Sequence, residues 1–263
     1  MANPIKSFYK RNSRNLLFEQ FSRFGLAINR IYENRNYDFR TNGELEVIRK
    51  LKQLNPEIIL DVGANEGAYS EMLRGNFPDS RIMAFEPGKE AFKNLESKAS
   101  RLLLNVYQIA LADYSGKGNL YQTGPSEHDS LLELEGMNRE EQGFTEVDVM
   151  TGDDFIEQKG IKSIDFLKID TEGSDLKVIR GFERIFAKQL ISVCQFEYGY
   201  ANITSRDLLI DFYRFFEERG YVVGKIYPKR VLFRNYNVRQ EDFLGPNYLA
   251  VKNDMTDLIK MLS

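Results

Sequence analysis

The ten residues from Ile58 to Gly67, Ile-Ile-Leu-Asp-Val-Gly-Ala-Asn-Glu-Gly, constrain the fold of this chain more than any other segment. A short apolar run ends in Asp61, and the turn after it carries Gly63 and Gly67 before a helical pattern begins. A buried parallel strand, a tight turn and a helix N-terminus give this pattern. Short apolar runs alternate with helical patterns from residue 58 onward. We therefore predict an α/β domain built on a mostly parallel sheet.

The glycine turn also indicates a ligand site, because a backbone without a Cβ can approach a ligand closely. Its spacing differs from the G-x-G-x-x-G pattern of dinucleotide-binding folds, which argues against a nicotinamide-dependent oxidoreductase. A carboxylate just before the first glycine suits a cationic ligand, and S-adenosylmethionine is such a ligand. The predicted cofactor-binding residues of this turn are Asp61, Gly63, Ala64, Asn65 and Gly67. The alternative is a glycine-rich turn that holds no ligand.

A second acidic residue, Glu86, ends the next predicted strand. Pro87 follows it and stops the strand, since proline has no N–H to donate. In a doubly wound sheet, an acid at the end of the second strand can accept both ribose hydroxyls. We predict this ribose-binding role for Glu86, and the alternative is a solvated acid before a turn.

Three further acids follow two later predicted strands: Asp170 and Glu172 after one, and Glu197 at the end of the next. Ligands of open parallel sheets bind outside the carboxyl ends of the strands, so we expect these acids to converge. Neighbouring carboxylates raise one another's pKa, which suits a general base, and they could equally ligate a divalent cation. The alternative is that Asp170 or Glu172 only caps the helix predicted at Ser174 or pairs with Lys168.

The chain has a single histidine, His128, in a long polar loop predicted over residues 124–143. A long loop inside a compact domain is often a lid or a substrate loop, so this one could overlie the crevice. A lone histidine is more often a surface residue, but histidine is also the usual general base near neutral pH. His128 is therefore a fourth candidate catalytic residue.

Composition narrows the class of protein. A length of 263 residues fits one α/β domain with additions, and a net charge of −3 gives no general affinity for nucleic acid. The single cysteine, Cys194, excludes an internal disulfide framework. No apolar run approaches the roughly 18 residues of a membrane-spanning helix. We expect a cytoplasmic protein without a transmembrane segment.

The N-terminal part differs from the rest in charge, since residues 1–56 hold 11 Lys/Arg and 5 Asp/Glu. We predict a helical extension over residues 1–50 and the main domain over 51–263. One apolar stripe follows helical spacing in the extension, formed by Leu17, Phe21, Phe24, Ile28 and Ile31. We expect this stripe to dock on the body of the domain. The alternatives are a homo-oligomer contact, a membrane surface or an acidic partner.

Taken together, these motifs resemble the FkbM-type family of S-adenosylmethionine-dependent methyltransferases. The matching pieces are Leu60-Asp-Val-Gly-Ala-Asn-Glu-Gly67, Ala84-Phe-Glu-Pro87, Ala110-Leu-Ala-Asp113, Ser130-Leu-Leu132, Leu167-Lys-Ile-Asp-Thr-Glu-Gly173 and Gln195-Phe-Glu197. The resemblance implies the class I methyltransferase fold, a Rossmann-like, mostly parallel seven-stranded sheet with its last strand antiparallel and helices on both faces. It also implies that Asp113 lies near the adenine of the cofactor.

The same resemblance implies methyl transfer, usually to a hydroxyl of a sugar, a glycolipid or a polyketide-like product. Asp170, Glu172, Glu197 or His128 would then accept the hydroxyl proton. Two alternatives use the same fold: an N-methyltransferase whose acids bind an amine, and a catalytically silent cofactor-binding or scaffold protein.

Overall fold

The computed structural model describes residues 14–121, 129–133 and 143–263. Its strands are β1 Ile58–Val62, β2 Arg81–Phe85, β3 Leu104–Tyr107, β4 Ala110–Ala112, β5 Gly116–Tyr121, β6 Phe144–Thr151, β7 Ile164–Ile169, β8 Ile191–Glu197, β9 Tyr221–Tyr227, β10 Arg230–Phe233 and β11 Asn247–Lys252. Its helices are α1 Leu16–Tyr32, α2 Glu44–Leu51, α3 Ala68–Asn76, α4 Lys89–Leu102, α5 Gly152–Lys159, α6 Asp175–Gly181, α7 Glu183–Ala187, α8 Ala201–Ser205, α9 Leu209–Glu217 and α10 Thr256–Leu262.

The main sheet has eight strands in the order β10-β9-β11-β8-β7-β1-β2-β3. Strands β1, β2, β3, β7 and β8 pair in parallel, whereas β11 is antiparallel to both of its neighbours, β8 and β9. The predicted mostly parallel sheet with an antiparallel last strand is therefore confirmed. The eighth strand, β10, was not predicted; it extends the edge by pairing antiparallel with β9.

Both faces of the sheet are covered, which explains the continuous apolar runs of its strands. Alternate residues of β1 enter different cores: Leu60 and Val62 lie in one hydrophobic cluster, and Ile59 lies in the other. Because side chains of a strand alternate between faces, a strand buried on both sides must be apolar throughout. From β1 the chain continues to β2 and β3 on one side of the sheet, whereas the later strand β7 pairs with the other side of β1. The strand order therefore reverses between β1 and β7.

A second, three-stranded sheet in the order β4-β6-β5 interrupts the alternation. The apolar run over 103–110 predicts one strand, but the structure divides it between β3 in the main sheet and β4 in the second sheet. The turn residues at Ser115-Gly116 and Gly124-Pro125 predict a hairpin near 118–122, which is wrong, because β5 pairs antiparallel with β6 from beyond the long loop. Of that loop, residues 129–133 are described, and Ser130 bridges to Tyr121.

The expected docking of the N-terminal stripe is wrong. Helix α1 has no buried residue, and the five stripe side chains are 50–81% exposed. Helical spacing shows that one face is apolar, but it does not show what covers that face. Among the described residues, no helix is both long enough and apolar enough to cross a bilayer.

The body of the fold begins before the boundary predicted at residue 50. Helix α2 buries Val47, Ile48 and Leu51 in the core, so the predicted boundary falls inside a packed helix.

Candidate functional site

A cavity opens at the carboxyl ends of β1, β2 and β7, beside the point where the strand order reverses, and its empty volume of about 550 Å³ includes open solvent. Its apolar lining comes from Val62, Phe85, Ile109, Ala110, Leu111, Leu120 and Leu131. Its polar lining includes Asn65, Glu86, Asp129, Ser130, Asp170, Glu172 and Ser174. We refer to it as the first cavity. An apolar cavity with a few convergent polar groups at this position is the usual ligand site of an open α/β sheet.

Glu86 joins the two turns that border the first cavity. One carboxylate oxygen accepts a hydrogen bond of 2.9 Å from the backbone N–H of Asn65, and the other accepts one of 2.7 Å from that of Gly88. Burial raises the pKa of Glu86 to about 7, and the nearby charge of Asp129 adds to this effect. The carboxylate therefore changes its charge near neutral pH at the cavity wall.

The two glycines of the turn are required by the protein itself. Gly63 has a φ of +77°, and a Cβ there would lie 1.8 Å from the backbone oxygen of Asp170. Gly67 has a φ of +83°, and a Cβ there would come within 2.7 Å of Leu95. These glycines let the β1 turn pack against the end of β7 and against α4. Their predicted role in binding a ligand stays a prediction.

Asp61 lies beneath the turn and is not among the residues that line the first cavity. It is fully buried, accepts a hydrogen bond of 2.6 Å from Ser70, and lies 3.5 Å from the Nζ of Lys168. The cation beside this carboxylate in the structure is Lys168, and the predicted cofactor-binding role of Asp61 stays a prediction. Lys168 also lies 3.1 Å from Asp170, which connects the buried pair to the cavity wall.

Ser174 contributes a polar atom without a partner. Its Oγ is buried, makes no hydrogen bond within the described chain, and belongs to a residue that lines the first cavity. Serine is a favoured residue at the start of a helix, but the side chain of Ser174 does not cap α6. A buried hydroxyl without a partner is costly, so its presence on a residue that lines the first cavity is compatible with a hydrogen-bonding ligand there.

A second cavity, with an empty volume of about 1040 Å³ that includes open solvent, adjoins the first. The two share the turn residues Gly63 and Asn65 and also Asp170. The remaining lining includes Tyr37, Phe39, Glu44, Tyr69, Lys168 and Glu197. A third cavity, lined by Arg35, Tyr37, Tyr200 and other residues, shares Glu197 with the second and Glu172 with the first. Asp170, Glu172 and Glu197 thus lie where neighbouring cavities meet.

The electrostatics of this junction centre on Glu197. Burial raises the pKa of Glu197 well above its ordinary value, and the like charges of Asp170, Glu172 and Asp175 raise it further. Asp175 holds the strand end in place, because its carboxylate accepts a hydrogen bond of 2.9 Å from the backbone N–H of Glu197. Burial also raises the pKa of Asp175 to about 7. A carboxylate with a raised pKa is a stronger base than an ordinary one.

Glu44 is a site residue that the sequence argument missed. It is buried, and burial raises its pKa. Its carboxylate accepts hydrogen bonds of 2.5 Å from Gln195 and 2.9 Å from Asn247, while Tyr69 donates to Gln195 over 3.1 Å. The sequence feature that points to such a residue is the presence of Lys168 and Gln195 inside otherwise apolar strands. A buried polar side chain needs a polar partner, and Glu44 is that partner for Gln195.

Other predicted site residues are not brought into these cavities. Asp113 is exposed in the bend after β4, and the neighbouring Ala110 and Leu111 line the first cavity in its place. His128 lies outside the described residues. In the described ranges, no group of three or more His, Cys, Asp or Glu side chains is arranged to hold a metal ion. The three acids Asp170, Glu172 and Glu197 do not form such a group in this arrangement, and their suggested role as metal ligands stays a prediction.

The fold and the site together define a class. The strand order, the antiparallel β11 and the cavity beyond β1 and β2 are those expected of the class I methyltransferase fold.

Comparison with known families agrees with this class, because the model described as "Methyltransferase FkbM domain" matches residues 61–223. This match covers more than half of the chain, and the chain belongs to the FkbM methyltransferase family. The resemblance of its sequence motifs to that family is confirmed.

Three curated relatives share the matched region. The 2-O-methyltransferase NoeI of Sinorhizobium fredii is 22% identical over 54% of this chain and 64% of its own length. The hexuronic acid methyltransferase AglP of Haloferax volcanii is 25% identical over 53% of this chain and 56% of its own length. The 31-O-demethyl-FK506 methyltransferase FkbM of Streptomyces tacrolimicus is 29% identical over 50% of this chain and 62% of its own length. The matches thus span less than two thirds of each relative.

Among solved structures, the methyltransferase FkbM of Methylobacillus flagellatus is similar, at 18% identity and a TM-score of 0.49. That alignment covers 74% of this chain and 44% of the other.

Proposed function

We propose that this protein is an S-adenosylmethionine-dependent O-methyltransferase that acts on a hydroxyl of a sugar, a glycolipid or a polyketide-like small molecule. The observation that carries the proposal is the junction at Asp170, which lines both the first and the second cavity. Two cavities that meet at one wall can hold a donor and an acceptor with their reacting atoms close together, and such positioning supplies much of the rate of a transfer reaction.

The residues of the first cavity fit S-adenosylmethionine. Glu86 would accept the ribose hydroxyls, the turn from Gly63 to Asn65 would hold the methionine part, and Phe85 and Leu111 would contact the adenine. The unpartnered hydroxyl of Ser174 supports a polar ligand in this place. When bound, the cofactor supplies a methyl group on a positively charged sulfur.

Glu197 is the residue that we assign as proton acceptor. Its raised pKa makes it a suitable base, and it lines both the second and the third cavity, where an acceptor would enter. The hydrogen bond from its backbone N–H to Asp175 fixes the end of β8. Asp170 would position the acceptor, since its ion pair with Lys168 holds its carboxylate in place.

The printed names of the relatives support an oxygen acceptor. NoeI is a 2-O-methyltransferase, and the FK506 enzyme acts at an oxygen of its product. AglP is named for hexuronic acid, which is a sugar acid. A hydroxyl on a carbohydrate or a similar polyhydroxylated molecule is therefore the acceptor that we propose first.

An amine acceptor is the second candidate, and the acidic lining of the second and third cavities favours it. Glu44, Asp170 and Glu197 line the second cavity, and Glu172 lines the third. Carboxylates attract a protonated amine, although the amine must lose its proton before it accepts a methyl group.

The test is transfer of a radiolabelled methyl group from S-adenosylmethionine to panels of hydroxyl-bearing glycans and of amino sugars. We expect label on a hydroxyl, its position identified by mass spectrometry, and its loss in Glu197→Gln. Label on nitrogen would replace the first candidate with the second. A protein that binds S-adenosylhomocysteine but labels neither panel would favour a catalytically silent binding protein.

A further inference from the structure

Helix α1 presents an apolar face that the described body does not cover. Phe21, Phe24 and Ile31 are 62%, 65% and 81% exposed, and Leu17 and Ile28 are 63% and 50% exposed. At 3.6 residues per turn, these side chains occupy roughly 100° of the helix circumference, without a charged residue between them. A contiguous exposed apolar face of this kind marks an interaction surface.

The segment of the sequence that carries this face has a net positive charge. Residues 1–32 hold six Lys/Arg and one Asp/Glu, whereas the rest of the chain holds 30 Lys/Arg and 38 Asp/Glu. On the helix itself, Arg23 and Arg30 lie on the side opposite the apolar stripe, and Glu19 is paired with Arg23 at 2.6 Å. The N-terminal segment that carries the exposed apolar face is therefore net positive, whereas the rest of the chain is net negative.

The end of the helix is attached beside the proposed acceptor cavities. Glu33 accepts a hydrogen bond of 2.8 Å from the buried Lys225, and the amide of Asn34 donates to the backbone oxygen of Ile226 over 3.0 Å. The guanidinium of Arg35 then lies 4.6 Å from the ring centre of Tyr200, and both residues line the third cavity. A surface bound by α1 would consequently lie close to the entrance for the acceptor.

We infer that α1 is an interfacial helix that binds an anionic membrane surface. A helix with phenylalanine and aliphatic residues on one face and cationic residues on the other lies in the boundary between lipid headgroups and acyl chains. Anionic headgroups attract the basic residues, while they repel the acidic body. A second copy of the chain fits this surface less well, because pairing two such helices would bring two strongly cationic segments together.

The experiment is flotation of the full chain with vesicles of phosphatidylcholine that contain about 30% phosphatidylglycerol. Phe24→Glu places a negative charge on the apolar face, and Asn29→Glu adds the same charge on a polar face of the same helix. We expect Phe24→Glu to lower vesicle binding at least about tenfold and Asn29→Glu to lower it less than about threefold. Vesicles of phosphatidylcholine alone should bind at least about tenfold less, with helical circular dichroism unchanged in both variants.

Two results would overturn the inference. An absence of vesicle binding by the wild type, together with a dimer in analytical ultracentrifugation that Phe24→Glu dissociates, would assign the face to a second copy. Equal loss of vesicle binding in Phe24→Glu and Asn29→Glu would show that charge alone is responsible and that the apolar face does not enter the lipid. Neither result depends on the proposed methyl transfer, which is measured separately on a soluble acceptor.

Discussion

The pKa of Glu86 leads to a quantitative prediction about cofactor affinity. With a pKa of about 7 in the free protein, Glu86 is ionised in about one tenth of the molecules at pH 6 and in about nine tenths at pH 8. The ionised carboxylate is the stronger acceptor for ribose hydroxyls, so cofactor binding favours the form that has lost its proton. The apparent affinity is reduced by the fraction of competent molecules. We therefore expect S-adenosylhomocysteine to bind about tenfold more weakly at pH 6 than at pH 8.

Isothermal titration calorimetry at several pH values between 6 and 8 measures this effect. Glu86→Gln is the matched control, because it keeps the side-chain shape and removes the titrating group. We expect the variant to bind at least about tenfold more weakly at pH 8, since a lost charge-assisted bond costs about 1.5–3 kcal/mol, and to show little dependence on pH. A wild-type affinity that does not change with pH would refute the reasoning. If the affinity of Glu86→Gln for S-adenosylhomocysteine still changes with pH, another titrating group, such as Asp175, would be responsible.

Three further substitutions and one control test the site and its support. Glu197→Gln should lower kcat at least about a hundredfold while the Kd of S-adenosylhomocysteine stays within a few-fold, and a kcat near that of the wild type would remove Glu197 as the base. Lys168→Met leaves Asp170 and a buried carboxylate without their cation, so urea unfolding should show a loss of about 3–5 kcal/mol. Gly63→Ala should lose at least about 2 kcal/mol, because it combines a left-handed backbone with a backbone clash. Gly75→Ala, in an exposed helical position with open space, should instead gain about 0.5–1 kcal/mol, and equal effects at the two glycines would contradict the argument.

The central sheet could be predicted from the sequence because its strands are buried on both faces. The apolar runs at 58–62, 164–170 and 247–252 predict strands, and β1, β7 and β11 lie within one residue of these bounds. The edge strand β10 was missed, since a short strand such as Arg230–Phe233 depends on its pairing with β9. The apolar stripe of α1 was recognised as a pattern, but a pattern within one helix carries no information on what packs against it.

The candidate site was predictable where its residues end strands of the sheet. Glu86, Asp170 and Glu197 lie at strand ends that the fold brings together, so their convergence follows from topology. Their roles in binding and catalysis stay predictions. Glu44 was not predictable in this way, because it reaches Gln195 from a helix that precedes the sheet. The position of Asp61 beneath the turn also depends on a long-range partner, Lys168.

The central claim is that the first cavity holds S-adenosylmethionine against Glu86 and Ser174. Calorimetric titration of the wild-type chain at pH 8 with S-adenosylhomocysteine, and separately with NAD, tests it most directly. We predict one binding site per chain for S-adenosylhomocysteine, weakened by Ser174→Ala and by Glu86→Gln, and no heat of binding with NAD. Binding of NAD without binding of S-adenosylhomocysteine, or S-adenosylhomocysteine binding that neither substitution changes, would contradict the account.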